Sequence, residues 1–292
     1  MFGSIGRSWN LAKQSLGVVR KDPELMIFPI IAFIAGVVVA GILGGVGFAT
    51  GAFGGSQSVS ALGILFIFLF YFGTYFITIY FQVALVASVK LRLSGGNPTL
   101  GYGVREANKR LGTVLTWTVI AAIVGLLLRL LEGAARSNTR GWGRIVAQIA
   151  IGLVGMAWSL ATFFVIPIIA YEGVGGFEAI KRSVGVIKRS WGEAVVGQAG
   201  ITLVMGLLAL VVGAAFGIVG ILALTSGSTA GLAIGIVLIS IAVLGVLFIV
   251  ALSSTLQSIY TTALYEYATA GRTGDYFSRD TLAGAFKSGR SI

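Results

Sequence analysis

The chain has 292 residues, of which 57% are hydrophobic and 11% charged, and its mean hydropathy is +0.96. A soluble domain of this length has no core large enough to hide so much apolar surface, so the composition excludes a water-soluble globular class. The net charge of +11 would suit a nucleic-acid binder, but the basic residues are confined to particular joints of the chain and no nucleic-acid partner is expected.

Residues 2–19 read as an amphipathic helix: Phe2, Ile5, Trp9, Ala12, Leu16 and Val19 advance by threes and fours, with Arg7 and Lys13 on the other face. The first long apolar stretch, 25–48, follows Arg20 and Lys21. This order does not match a cleavable signal, so the span is expected to stay in the mature protein. Further apolar stretches run over 59–88, 113–131, 145–170, 195–224 and 231–256, each close to or beyond the roughly 20 residues that cross a bilayer. Segments of alternating polarity typical of a membrane barrel do not occur, and helices are left as the spanning element. The second and sixth helices continue in polar form over 82–96 and 257–271, and these ends are expected to project from the membrane.

The charges orient the spans. Seventeen of the 21 Lys and Arg precede the first span, follow the sixth, or lie between the second and third and between the fourth and fifth, whereas 49–58 and 225–230 are uncharged. The positive-inside rule therefore predicts a multi-pass protein of the cytoplasmic membrane with both termini cytoplasmic. Arg129, Arg136, Arg140 and Arg144 surround the third outer loop instead. They read either as snorkelling side chains or, together with Glu132, as an outer mouth that attracts anions. Arg129 and Glu132 are three apart and suited to pair on one helix face.

A second amphipathic stretch, 177–194, carries Lys181, Arg182, Lys188 and Arg189 and matches 2–19 at an offset of 175 residues, at Phe2/Phe177, Ile5/Ile180, Arg7/Arg182, Ser8/Ser183, Lys13/Lys188, Ser15/Ser190 and Gly17/Gly192. Gln82/Gln257 and Gly96/Gly271 keep that offset at the far end of the following spans. Residues 100–112 supply a weaker middle copy. The expected architecture is an all-α polytopic membrane protein, one transmembrane domain over 1–292. Its six transmembrane helices form three parallel hairpin repeats, 1–96, 97–175 and 176–271, each preceded by a basic amphipathic interfacial helix, with a cytoplasmic amphipathic tail over 272–292. The apolar stripes of these elbows either lie in the headgroup layer or pack against neighbouring spans.

Of the 43 glycines, many fall four apart, as in Gly41/Gly45, Gly47/Gly51, Gly51/Gly55, Gly213/Gly217 and Gly231/Gly235. Such Gly-xxx-Gly faces serve close packing inside the chain or a homo-oligomer seam. Chemistry is poorly represented. Cysteine and histidine are absent, and no nucleophile elbow, phosphate loop or metal motif is found, so no catalytic residue, cofactor or metal is expected. Gly173 to Gly176 form a turn into the third elbow, with Glu178 complementing the dipole of its first turn.

Pro167-Ile-Ile-Ala-Tyr-Glu172-Gly, Gly176-Phe-Glu-Ala-Ile-Lys-Arg-Ser183, Trp191-Gly192-Glu193, Ala263-Leu-Tyr-Glu-Tyr-Ala-Thr-Ala-Gly271 and Leu282-Ala-Gly-Ala-Phe286 together resemble a domain-of-unknown-function family of bacterial and archaeal six-span membrane proteins. The first of these segments also looks like the membrane domain attached to some glycerophosphodiester phosphodiesterases, although the catalytic set of those enzymes has no counterpart here. The resemblance implies a fold and a location and brings no activity. The expected function is non-enzymatic: binding anionic membrane lipid through Arg7, Lys13, Arg20, Lys181, Arg182, Lys188 and Arg189, or organising membrane partners, as an oligomer or alone. The alternative is a transporter or channel for a small solute or lipid along the repeat axis.

Overall fold

The computed structural model describes residues 13–52, 61–138, 142–190, 193–273 and 276–277. Among these, all regular elements are helical. Helix α1 occupies 13–21 and leads through a short 3-10 turn, Pro23–Met26, into α2 (Ile27–Ala49) and α3 (Ala61–Leu93). A short α4 (Leu100–Asn108) precedes α5 (Leu111–Asn138), α6 (Trp142–Ala161) and α7 (Val165–Glu172). Helix α8 (Gly176–Ser190) then leads to α9 (Glu193–Leu224) and the 42-residue α10 (Thr229–Ala270). Six spans are long and apolar enough to cross a membrane: Pro23–Ala49, Leu62–Leu93, Leu111–Ala135, Trp142–Glu172, Gln198–Leu224 and Thr229–Ala270. The chain is thus an all-α, multi-pass integral membrane protein, as its composition requires.

The fourth span is two helices rather than the single one expected over 145–170. Pro167 has no N–H to give and its ring crowds the carbonyl of Phe163 four residues back. The helix stops at Ala161, passes through a turn over 162–164, and resumes at Val165. The Phe164 N–H, left without a helical acceptor, donates to Ser183 Oγ of α8 at 3.1 Å, and Ser183 is wholly buried. The elbow helix therefore completes the backbone bonding of the broken span, as buried amides require.

Close packing is concentrated at the end of the molecule where α1, α4 and α8 lie, here called the elbow end. There α3, α7 and α10 meet. Val83 to Val86 and Val89 of α3, Val165 with Ile168 to Ala170 of α7, and Ile259, Tyr260 and Leu264 of α10 are buried in one cluster. Helix α4 presses onto α3 through Gly103, where an added Cβ would lie 2.5 Å from Phe28 Cζ and Ser88 Oγ and 2.8 Å from the Ala84 carbonyl.

Toward the other end the helices separate. Val37, Ile42, Leu127, Leu153, Leu210 and Leu244 are each more than half exposed, as suits faces wetted by lipid tails. The α9–α10 pair is the exception, and its glycines explain it. A Cβ on Gly235 would stand 2.6 Å from Leu224 Cγ and 2.8 Å from the Gly220 carbonyl. The Gly231/Gly235 face is therefore used within the chain, while Gly41 and Gly45 have nothing within 4 Å of a Cβ. Rings stacked one helical turn apart, Phe68 on Phe72 and Phe72 on Phe76, continue to Tyr80 along α3. Tyr80 ends the series by donating to Asn108 Oδ1 of α4 at 2.8 Å.

Candidate functional site at the elbow end

The elbow helices carry two populations of side chains. On α1, Ser15, Val18 and Val19 are buried, and on α8 the inward row is Ala179, Ser183 and Ile187. The small Ala179 and Ser183 on this row let α8 sit close against its neighbours, and the expected stripe divides. Ile187 packs inward, Ile180 and Val184 are half-buried, and Phe177 points outward with 78% of its surface exposed. Lys13, Arg20, Lys181 and Lys188 stand exposed on the same helices.

Arg182 behaves differently from the lysines beside it. Its guanidinium pairs with Glu172 at the end of α7 and with Glu178 one turn back on α8, the latter at 2.9 Å. The hydrogen bond from Arg182 holds the Glu178 carboxyl below the usual carboxylate range and raises the guanidinium in return. Arg182 is thus committed to joining α7 to α8.

Behind it lies an arrangement not visible in the sequence. The dipeptides Tyr171-Glu172 of α7 and Tyr265-Glu266 of α10 exchange hydrogen bonds crosswise. Tyr171 Oη donates to Glu266 Oε1 at 2.7 Å, and Tyr265 Oη donates to Glu172 Oε1. The two rings meet edge to face with centroids 5.2 Å apart. Lys90 of α3 places its ammonium 4.2 Å from the Tyr171 ring centroid, a cation–π contact. Glu266 is buried, and its bond from Tyr171 supplies the partner that a buried carboxylate demands. The sequence signal was the recurrence of Tyr-Glu near the elbow-side ends of two spans.

Two further arginines tie the base together. Arg92, at the end of α3, donates to the Gly96 carbonyl at 3.0 Å and the Lys21 carbonyl at 3.4 Å, and lies 3.9 Å from Asp22. Burial pushes the Asp22 carboxyl up; Arg92 opposes that shift and Glu24 adds to it. Glu106 accepts from Lys109 at 2.5 Å and Arg110 at 3.3 Å. The Lys109 hydrogen bond in particular holds its carboxyl below the usual range. Tyr276 lies under the Lys21 ammonium and Phe277 is buried in the core, so the start of the expected tail packs back onto the base.

Arg129 and Glu132, at the other end, stand exposed on α5 and form no ion pair with each other. Arg7, Arg140 and most of the tail lie outside the described residues, and Arg136 and Arg189 are described only as helical backbone. No group of three or more His, Cys, Asp or Glu is placed to hold a metal among the described residues.

Comparison with known proteins gives a family and names no activity. The family of unknown function DUF6159 matches residues 61–277; the chain belongs to that family. The resemblance to the membrane domain of glycerophosphodiester phosphodiesterases finds no support in this match. A search of curated proteins gives no match.

Proposed function

We propose that this DUF6159 protein is a non-catalytic component of the cytoplasmic membrane that holds anionic lipid on its elbow face and so organises its surroundings in the bilayer. The observation that carries the reading is the exposure of Lys13, Arg20, Lys181 and Lys188 at the same end as the outward-pointing Phe177. A basic side chain near an anionic surface contributes about 1 kcal/mol, and an exposed aromatic ring beside it anchors at the headgroup boundary. In this reading the elbow end is cytoplasmic, Arg182 is a structural clamp and Lys13, Arg20, Lys181 and Lys188 are the lipid contacts. The open Gly41/Gly45 face is available to a second copy. Side chains supply the argument against a conducting axis: Leu85, Ile168, Tyr260 and Leu264, each at most 1% exposed, fill the place where α3, α7 and α10 meet.

The test is lipid retention by the purified protein in nanodiscs containing phosphatidylglycerol and phosphatidylcholine, read by native mass spectrometry. Changing Lys13, Arg20, Lys181 and Lys188 together to Gln should lower the preference for phosphatidylglycerol about tenfold or more. An unchanged preference in the folded quadruple variant would defeat the proposal.

A further inference from the structure

The break in the fourth span opens a cavity of about 570 Å3 against the start of the fifth. Ser159, Thr162, Gln198 and Thr202 supply its polar groups, with Phe163 and Leu203 among its apolar walls, and no charged residue lines it among the described residues. Its size lies within the roughly 300 to 1,000 Å3 of small-molecule sites. Gln198 and Thr202 occupy the first turns of the fifth span, so the polar groups stand within about 6 Å of its elbow-side end at 1.5 Å per residue. Leu203, at the rim, is 64% exposed, and the cavity is open on that side to the lipid layer.

The hydrogen bonding defines what fits. Ser159 donates its hydroxyl hydrogen to the Gly155 carbonyl at 2.9 Å, Thr162 to that of Trp158 at 2.8 Å, and Thr202 to that of Gln198 at 3.0 Å. Each hydroxyl oxygen is left as an acceptor. Gln198 gives one of its two amide hydrogens to Gln257 Oε1 at 3.3 Å, Gln257 in turn donates to Ser253 Oγ at 2.9 Å, and Gln198 Oε1 is buried with no partner. The cleft therefore offers hydroxyl acceptors and one remaining Gln198 amide hydrogen, with no charge among the described residues. An ionised phosphodiester has no hydrogen to contribute and would meet no cation; an ammonium headgroup would meet no counter-charge.

We infer that the cleft binds a neutral lipid bearing a free hydroxyl, which donates into the Ser159, Thr162 and Thr202 oxygens while its chains run along Phe163 and Leu203. A diacylglycerol and a long-chain prenyl alcohol share this chemistry. The site is separate from the basic elbow surface.

The test uses the full chain in phosphatidylcholine nanodiscs doped with dioleoylglycerol or with its 3-O-methyl ether, which differ only in the hydroxyl hydrogen, with a prenyl alcohol as a third arm. Native mass spectrometry should show the free alcohols retained about three- to tenfold over the ether, the effect of one hydrogen bond. Ser159→Ala with Thr202→Val removes oxygens that bond only to their own helices, so folding should persist by circular dichroism while the preference for free hydroxyl falls. The Lys and Arg to Gln variant of the elbow surface should keep it, which separates this site from the anionic-lipid reading. The relative retention of dioleoylglycerol and prenyl alcohol identifies the source of the hydroxyl. Equal retention of alcohol and ether, or displacement of both by phosphatidylglycerol, would overturn the inference.

Discussion

At the elbow end, seven consecutive residues of α3, Val83 to Val89, are buried, whereas toward the far end of the neighbouring α2 Val37, Val38 and Ile42 are all more than half exposed. One half of the molecule is packed like a protein interior and the other is wetted by lipid. The difference is not one of hydrophobicity, because the far half is as apolar as the core. Lipid tails are as good a solvent for leucine as another leucine is, so apolar surface alone does not draw helices together in a membrane. What the base has and the far half lacks, among the described residues, is paired charges, and outside the α9–α10 seam the far half has few close glycine contacts.

Substitutions that strike one half and spare the other sharpen this comparison. The largest effect is expected from Gly103→Ala. The new methyl meets Phe28, Ser88 and the fixed Ala84 carbonyl, and overpacking of this kind should cost about 3 kcal/mol in reversible unfolding from mixed micelles. Ser183→Ala leaves the buried Phe164 amide without an acceptor, at a cost of about 1 to 2 kcal/mol, and hydrogen exchange at that amide should accelerate by a matching factor.

Acid and base should then act on the base in opposite senses. Burial raises the Asp22 carboxyl, so the folded chain holds that proton more tightly than the unfolded one. Its stabilisation is complete below the ordinary aspartate range and is lost as pH rises through the raised value. Glu106 is lowered, so its contribution is present above the ordinary glutamate range and lost as pH falls through the lowered value. Melting temperatures against pH should keep the acid limb in Asp22→Asn and show it reduced in Glu106→Gln, with the remainder from Glu178. The smallest effect is expected from Gly41→Ala in the far half, where nothing lies within 4 Å of a Cβ. A gain of about 0.5 to 1 kcal/mol from helix propensity is the whole expectation, and loss of an oligomer on gel filtration would instead show a second copy on that face.

The six spans were legible because apolar run length is a one-dimensional property that the bilayer thickness selects directly. The long second and sixth helices were legible because their pattern runs on in polar form past the apolar stretch. The break at 162–164 was hidden because Pro167 sits inside an unbroken apolar run, and its effect depends on a serine supplied by the next helix. The division of the α8 stripe was hidden as well: periodicity ranks residues by polarity, yet the close approach of α8 selects small side chains such as Ala179 and Ser183 for the inside. The Tyr-Glu exchange joins residues more than 90 positions apart, and no local pattern encodes which dipeptide faces which.

That exchange also works as a two-pin plug. Each helix brings one hydroxyl and one carboxylate, so turning α10 by a single residue, about 100°, withdraws both pins at once. The plug therefore fixes the rotation of a 42-residue rod from a point close to one end. From Tyr265 back to Thr229 the rod extends about 54 Å, so a tilt of about 5° at the plug would swing the far tip by about 5 Å. Two tyrosines and two glutamates thus aim a lever many times their own size.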